Sequence, residues 1–284
     1  MKVQGSDCSI LIKTAGREFD VPFAEETIRE AVSVLYEEAA IEGDGVCGAL
    51  RKSAGVTGCV VTPLTFEAAP LLLYLAMGGA AGRRLQLAPM EDAPLFDLIQ
   101  ERGTQRRLFE ACGVAGFELR VSRDEALKLK LDLCGFRPPV VFPLDRADSC
   151  AAEGSEDFSQ GNERYSGGGV TYTINGREYK NIYALTIIAR KRAGARAEVW
   201  LMRVLEKGND LPELIEELVI TAALLKGGQE LNACGMFRIT AARLVFVSDE
   251  TNVNAPDSVV GPLRFYVSGS LHTEVFSVGG GAGL

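Results

Sequence analysis

A mixed α+β fold that is predominantly β, with a packed helix and a β-unit written twice, is what this sequence predicts, and three observations carry the expectation. In residues 117–135, Phe117, Leu119 and Val121 alternate with Glu118, Arg120 and Ser122, the chain turns at Arg123-Asp124, and Leu127, Leu129, Leu131 and Leu133 alternate with Lys128, Lys130 and Asp132. Strand side chains point to opposite faces with period two, so this is a hairpin with one apolar and one charged face. Residues 244–269 echo it. Leu244 and Phe246 lead into a loop at Ser248-Asp249-Glu250, and Leu263, Phe265 and Val267 then alternate with Arg264, Tyr266 and Ser268. The third observation is the apolar run at 66–77, stopped by Gly78-Gly79, which reads as a short buried helix.

The remaining elements follow in order. Residues 7–13 and 17–23 read as short strands around the turn Ala15-Gly16. Over 25–40, Ile28, Val32, Leu35 and Ala39 recur at helical spacing, with Glu26, Arg29, Glu30, Glu37 and Glu38 for the wet face, so a helix ending at Gly43 is predicted. Residues 59–65 read as a strand, and 95–100 and 106–112 flank Gly103-Thr104 as a hairpin. The segment 137–169, with Pro138-Pro139, Pro143, many acids and serines and Gly167-Gly168-Gly169, reads as a linker or long loop between a first unit at 1–136 and a second at 170–278. The second unit opens with Val170, Tyr172 and Ile174 before the hairpin turn Asn175-Gly176, and continues with strands at 179–189 and 197–205. Residues 211–225 fit two readings: Leu211, Leu214, Leu218 and Ala222 suit a helix, whereas Val219-Ile220-Thr221 prefer a strand. Residues 279–284 read as a flexible tail.

Composition narrows the function. A chain of 284 residues has room for two units, and 47% hydrophobic with 24% charged residues is ordinary for a globular protein. Its net charge of −8 disfavours bulk binding to nucleic acid, which depends on Lys and Arg replacing counterions on phosphates. The seven cysteines are widely spaced and form no CxxC pair, so free thiols in a reducing compartment are expected. No apolar signal core opens the chain, and the run at 68–81 is too short and too interrupted for a membrane span.

No motif carries catalysis. Gly43-Asp44-Gly45-Val46-Cys47-Gly48 has the letters of a dinucleotide loop, but that loop needs a strand before it and a helix after it. His272 is the single histidine, expected just after the last strand; it cannot form a His-rich metal site, and no GxSxG elbow supplies a nucleophile for it. The acidic pairs Glu37-Glu38, Glu91-Asp92 and Glu216-Glu217 point in different directions on any regular element. Arg177, Tyr179, Lys180, Tyr183, Arg190, Lys191 and Arg192 interleave aromatic and basic residues, either as a nucleic-acid face or as a strand whose charged ends reach water. No catalytic, cofactor-binding or metal-ligating residue is therefore expected.

The segment 66–135 resembles the tail tube proteins of long-tailed bacteriophages. The resemblance lies in the helix Phe66-Glu67-Ala68-Ala69-Pro70-Leu71-Leu72-Leu73 ending in a glycine pair, the hairpin with a glycine turn, the stretch Ala111-Cys112-Gly113-Val114, and the alternating strands that follow. The hairpin at Asn175-Gly176 and the strand from Asn181 through Tyr183 to Ala189 are similar to central strands of the same family. The resemblance implies a tail-tube-like β-sandwich or barrel with a packed helix. It also implies a structural virion protein, made in the bacterial host cytoplasm, that self-assembles into stacked rings of the tail. Its partners would be itself, in hexameric or pseudo-hexameric trimeric rings, together with tape-measure and tail terminator proteins, while DNA passes through the lumen without specific binding. Two other readings stand beside it: a cytoplasmic hydrolase whose carboxylates converge in a cleft, and another tail component such as a terminator or baseplate ring.

Overall fold

The computed structural model describes residues 8–37, 48–81, 84–135, 137–143, 156–157, 164–204, 211–212, 214–223, 225–226, 229–230, 235–249 and 259–277. The fold over these residues is predominantly β with one α-helix. The first half contains β1 (Cys8–Thr14), β2 (Arg17–Asp20), β3 (Glu25–Glu26), β4 (Arg29–Glu37), β5 (Gly48–Pro63), α1 (Ala69–Met77), β6 (Gly78–Ala81), β7 (Arg84–Leu87), β8 (Phe96–Arg102), β9 (Gln105–Ser122), β10 (Lys128–Gly135) and β11 (Val140–Pro143). After β12 (Glu156–Asp157) come β13 (Val170–Ile174), β14 (Arg177–Glu178), β15 (Ile182–Arg190), β16 (Arg196–Val204), β17 (Ile215–Ala223), β18 (Leu225–Lys226), β19 (Gln229–Glu230), β20 (Gly235–Asp249), β21 (Val259–Val267) and β22 (Leu271–Ser277).

One pairing scheme occurs twice. Hairpin β1–β2 corresponds to β13–β14, and each opens on a two-residue turn whose residues both have positive φ: Ala15 at 51° and Gly16 at 77°, Asn175 at 49° and Gly176 at 79°. Such turns match the right-handed twist of the flanking strands, which is why a glycine stands second in both. β1 then pairs with β8 as β13 pairs with β17, β8 with β9 as β17 with β20, and β9 with β10 as β20 with β21. β10 pairs with β5 as β21 pairs with β16, and β5 with β3 and β4 as β16 with β15. β11 and β22 each extend the second hairpin strand along the first half of the long one.

The long strands β9 and β20 also share their irregularities. Each bends at a non-glycine residue with positive φ, Ala111 at 51° and Arg243 at 52°, directly before the residue where pairing to the next strand begins. In β9 the Ala111 N–H donates to Asp97 Oδ1 at 3.0 Å, which holds the bend. At the same spacing beyond the bend each strand carries one unpaired residue, Ala115 and Val247, a bulge that increases local twist.

The first half differs by two additions. The β4–β5 hairpin runs on as an arm from Val32 opposite Ser53 to Glu37 opposite Gly48, where β15–β16 has only a short turn. The second addition is α1 with β6 and β7, inserted between β5 and β8. Pro70 sits in the first turn of α1, where a missing N–H costs nothing, and the Thr65 hydroxyl accepts from the Ala68 N–H at 3.2 Å. Leu71, Leu72, Leu73, Leu75, Ala76 and Met77 are all buried, so the helix is apolar all round and lies inside the core. The insertion also links the halves, since β7 pairs with β22. Tyr165 and Phe237 meet edge to face nearby, with ring centroids 4.9 Å apart. Phe237 is fully buried, and Phe237→Ala is expected to cost about 3–5 kcal/mol in chemical denaturation.

Several expectations need correction. Residues 25–40 are not helical: 25–26 and 29–37 are strands paired to β5, and the apolar spacing read as helical competes with the alternation of Val32, Val34 and Tyr36, which suits a pleated strand. The ambiguous segment is strand β17, where Val219, Ile220 and Thr221 prevail because they cross the middle of the pairing with β13 and β20. The segment expected as a linker or long loop is docked where it is described: 140–143 pairs with β9, 156–157 with β2, and Tyr165 and Gly167 bond the β5 end and the β9–β10 turn. His272 lies within β22 and pairs with Gln86, half-buried. The glycine loop lies outside the described residues except for Gly48, which opens a strand, and the 279–284 tail lies wholly outside them. No helix among the described residues is long and apolar enough to cross a membrane.

Candidate assembly surface

Eight strands, taken as two sets of four, form a continuous antiparallel run in the order β4, β5, β10, β9, β15, β16, β21, β20. The sets join where the second half of β9 meets β15, from Val121 opposite Leu185 to Gly116 opposite Arg190. Leu119, Leu129, Leu131, Ile187, Val199, Leu201, Leu263 and Phe265 all point inward and are buried. The other face is polar, and several of its charges are tied in pairs. Arg120 meets Glu118 at 2.6 Å, Lys130 meets Asp132 at 3.7 Å, and Arg264 grips Glu198 through two bonds of 3.0 and 2.8 Å while lying over the Trp200 ring. The bond from Arg264 keeps the Glu198 carboxyl below the usual range. Thus Lys128, Lys130, Arg264 and Tyr266 lie on this outward face, as the alternation predicts.

An open groove of about 690 Å³ crosses the same face, lined among others by Asp132, Glu198, Arg190, Arg192, Arg196 and Tyr266. Of its carboxylates, Glu198 is held below its usual range by its arginine, which suits a group that stays ionised and not a general acid. The described residues hold no cluster of three or more metal-ligating side chains.

The basic triplet divides across the sheet. Arg190 and Arg192 are exposed, while Lys191 between them is fully buried. Its Nζ donates to the Ala76 carbonyl at 3.0 Å and approaches the Leu75 carbonyl at 3.5 Å, placing a cation at the C-terminal end of α1, where the helix dipole favours it. Burial pushes the Lys191 ammonium down from 10.5 to about 8. With Tyr179 also buried, the aromatic and basic residues of this segment do not share a face on which bases could stack. Sequence reading placed Lys191 on a nucleic-acid face or at a strand end that reaches water. Its parity with Leu185, Ile187 and Ala189 was the signal that assigns it to the core side.

Cys112 and Cys134 are both buried and free, in neighbouring strands. Burial pushes the Cys112 thiol up to about 12, so it is held as an inert core group.

The two ends of the eight-stranded run are open. Among the described residues β4 pairs only on its β5 side, and beyond Leu244 β20 pairs only with β21. Both ends carry exposed apolar side chains: Val32 at one, and Val245, Phe246 and Val247 at the other. Phe246 was expected on the inner face with Leu244; it is 50% exposed, at the bulge beside Val247. A further apolar edge is β11, where Val140, Val141 and Phe142 are exposed.

No protein-family model matches the chain, and no curated protein matches it.

Proposed function

We propose that this protein is a structural virion component that self-assembles into stacked rings and forms the tail tube of a long-tailed bacteriophage, a conduit for DNA. The observation that carries the reading is the eight-stranded run, made of two halves that share one pairing scheme and open at both ends among the described residues. Repeated β-units with unpaired apolar edges build rings when head-to-tail contacts close on themselves. In this reading each half acts as one tail-tube-like β-sandwich or barrel unit, the duplicated chain supplies two units per copy, and the polar face lines the lumen. The pairs Glu118–Arg120, Lys130–Asp132 and Glu198–Arg264 then present neutralised charge to passing DNA, which lowers the number of phosphates a wall cation can hold.

Negative-stain electron microscopy and analytical ultracentrifugation of the concentrated protein test the proposal. Rings or tubes with threefold or sixfold repeats are expected. A strictly monomeric protein without rings would overturn it, and single rings that never stack would point instead to a terminator or baseplate component.

A further inference from the structure

We propose that copies of this chain join head to tail by laying the β4 edge of one copy against the end of β20 in the next, in the register that already joins β15 to β9 within a single chain. The proposal rests on the self-assembly reading and specifies the contact. The internal junction is the template. There, Arg190 stands opposite Gly116, and the Lys191 N–H donates to the carbonyl of the bulge residue Ala115 at 2.8 Å.

Each participant has a counterpart at an open end. Ser248 and Val247 in β20 occupy the places of Gly116 and Ala115 in β9, because both strands carry the positive-φ bend and the bulge at the same spacing. Ala31 and Val32 occupy the places of Arg190 and Lys191, because Ala31 opposes Gly55 as Arg190 opposes Arg196, and β5 and β16 pair in matching register with β10 and β21. Repeating the junction therefore sets Ala31 opposite Ser248 and Val32 opposite Val247.

Burial agrees with this assignment. In β9 the stretch corresponding to Val245–Val247 is Gly113, Val114 and Ala115; Val114 is fully buried, and Met90 and Leu95 reach over Gly113. In β20 the same three places are 50%, 50% and 48% exposed, and Val32, their partner in the repeated register, is 39% exposed. The described residues of the second half show no counterpart of the α1–β7 insertion or of the β7–β8 connection that supplies Met90 and Leu95. What the next copy offers instead is the β4–β5 arm, about 20 Å long at roughly 3.3 Å per residue, enough to lie over all three. The register also sets Glu30 opposite Asp249, as Ala189 stands opposite Phe117, and like charges directly opposite weaken a strand pair. Glu30→Gln should therefore strengthen assembly.

The test uses the full chain. Val247→Asp and Val32→Asp alter exposed side chains, so each monomer should melt within a few degrees of the parent while assembly, followed by sedimentation and negative stain, falls at least tenfold. Ala31→Cys and Ser248→Cys chains, mixed and oxidised, should form a disulfide between Cys at those two positions that neither variant forms alone, located by peptide mass spectrometry. Glu30→Gln should lower the concentration at which half the protein assembles. If the parent assembles but both aspartate variants assemble equally well and the mixed disulfide is absent, this junction is wrong while the ring-forming function stands. If the parent never assembles, both fall.

Discussion

Gly167→Ala is expected to abolish cooperative folding. Gly167 opens the short helical turn that leads into β13, and a Cβ placed there would lie 1.7 Å from the Ser122 carbonyl oxygen, 2.5 Å from its carbon and 2.8 Å from Arg123 Cα. All three atoms are backbone, at the end of β9 and the start of the turn to β10. The glycine cannot swing away, because its N–H donates to the Glu125 carbonyl at 2.9 Å and its neighbour Ser166 bridges Ala126. Separating the two backbones breaks those bonds and opens the core around the fully buried Leu127 and Tyr165, a loss above about 4 kcal/mol of the kind that marks a buried steric conflict. Thermal unfolding followed by circular dichroism would show no transition or one lowered by more than about 10 °C. Gly168→Ala, at the exposed neighbouring position, is the control and should cost less than about 1 kcal/mol. Equal melting of the two variants would show that this close approach is not needed.

Lys191→Met is expected to remove a rise of stability with pH. The lysine holds its proton less tightly in the folded chain, at about 8 against 10.5, so between those values the unfolded state carries more protons and stability increases as pH rises. Below about pH 8 both states are protonated and the cost of burying the charge is constant; above 10.5 neither is. The full difference is about 3 kcal/mol, which shifts the melting-temperature difference between parent and variant in the parent's favour by roughly 5–10 °C across the window. Only the gap isolates the lysine, because Cys112, with its thiol pushed up from 9.0 to about 12, makes the folded state lose stability over an overlapping range. A gap that stays constant from pH 7.5 to 10.5 would refute the assignment of this titration to Lys191.

Much of the sheet was legible because its signal is local. The alternation through Phe117–Val121, Leu127–Leu133 and Leu263–Val267 reports the two faces of each strand wherever one face is buried, and the hairpin turns at Ala15-Gly16 and Asn175-Gly176 announce themselves by residue type. The misreadings share a physical cause. Residues 25–37 carry apolar side chains compatible with both periods, and what makes them strands is the pairing of β3 and β4 with β5, a contact with a distant stretch of chain. The 137–169 segment reads as a linker or long loop, and its composition does not say that its described parts dock against β9, β2 and the β9–β10 turn. Phe246 follows the alternation of an inner residue, but the bulge at Val247 and the open end of the sheet leave it exposed.

The candidate surface divides in the same way. Lys128, Lys130, Arg264 and Tyr266 were assignable to the polar face from their positions alone. Their ion pairs were not, since the Arg264–Glu198 clamp joins residues from β21 and β16. The matching open ends emerge only when the two pairing schemes are superposed, because equivalent places in β9 and β20 hold different residues and share little beyond a bend and a bulge.

By itself the sequence determined that the chain is predominantly β, where its two-faced hairpins lie, and that a short apolar helix is buried among them. These follow from side-chain periodicity and turn chemistry, which act between neighbours along the chain. The tertiary structure alone decided that β4 is a strand, that Lys191 is buried at a helix end, that the halves share one scheme of pairing, and which edges stand open among the described residues. Those outcomes depend on which distant strands compete for the same backbone hydrogen bonds, and that competition is resolved only when the whole sheet is assembled.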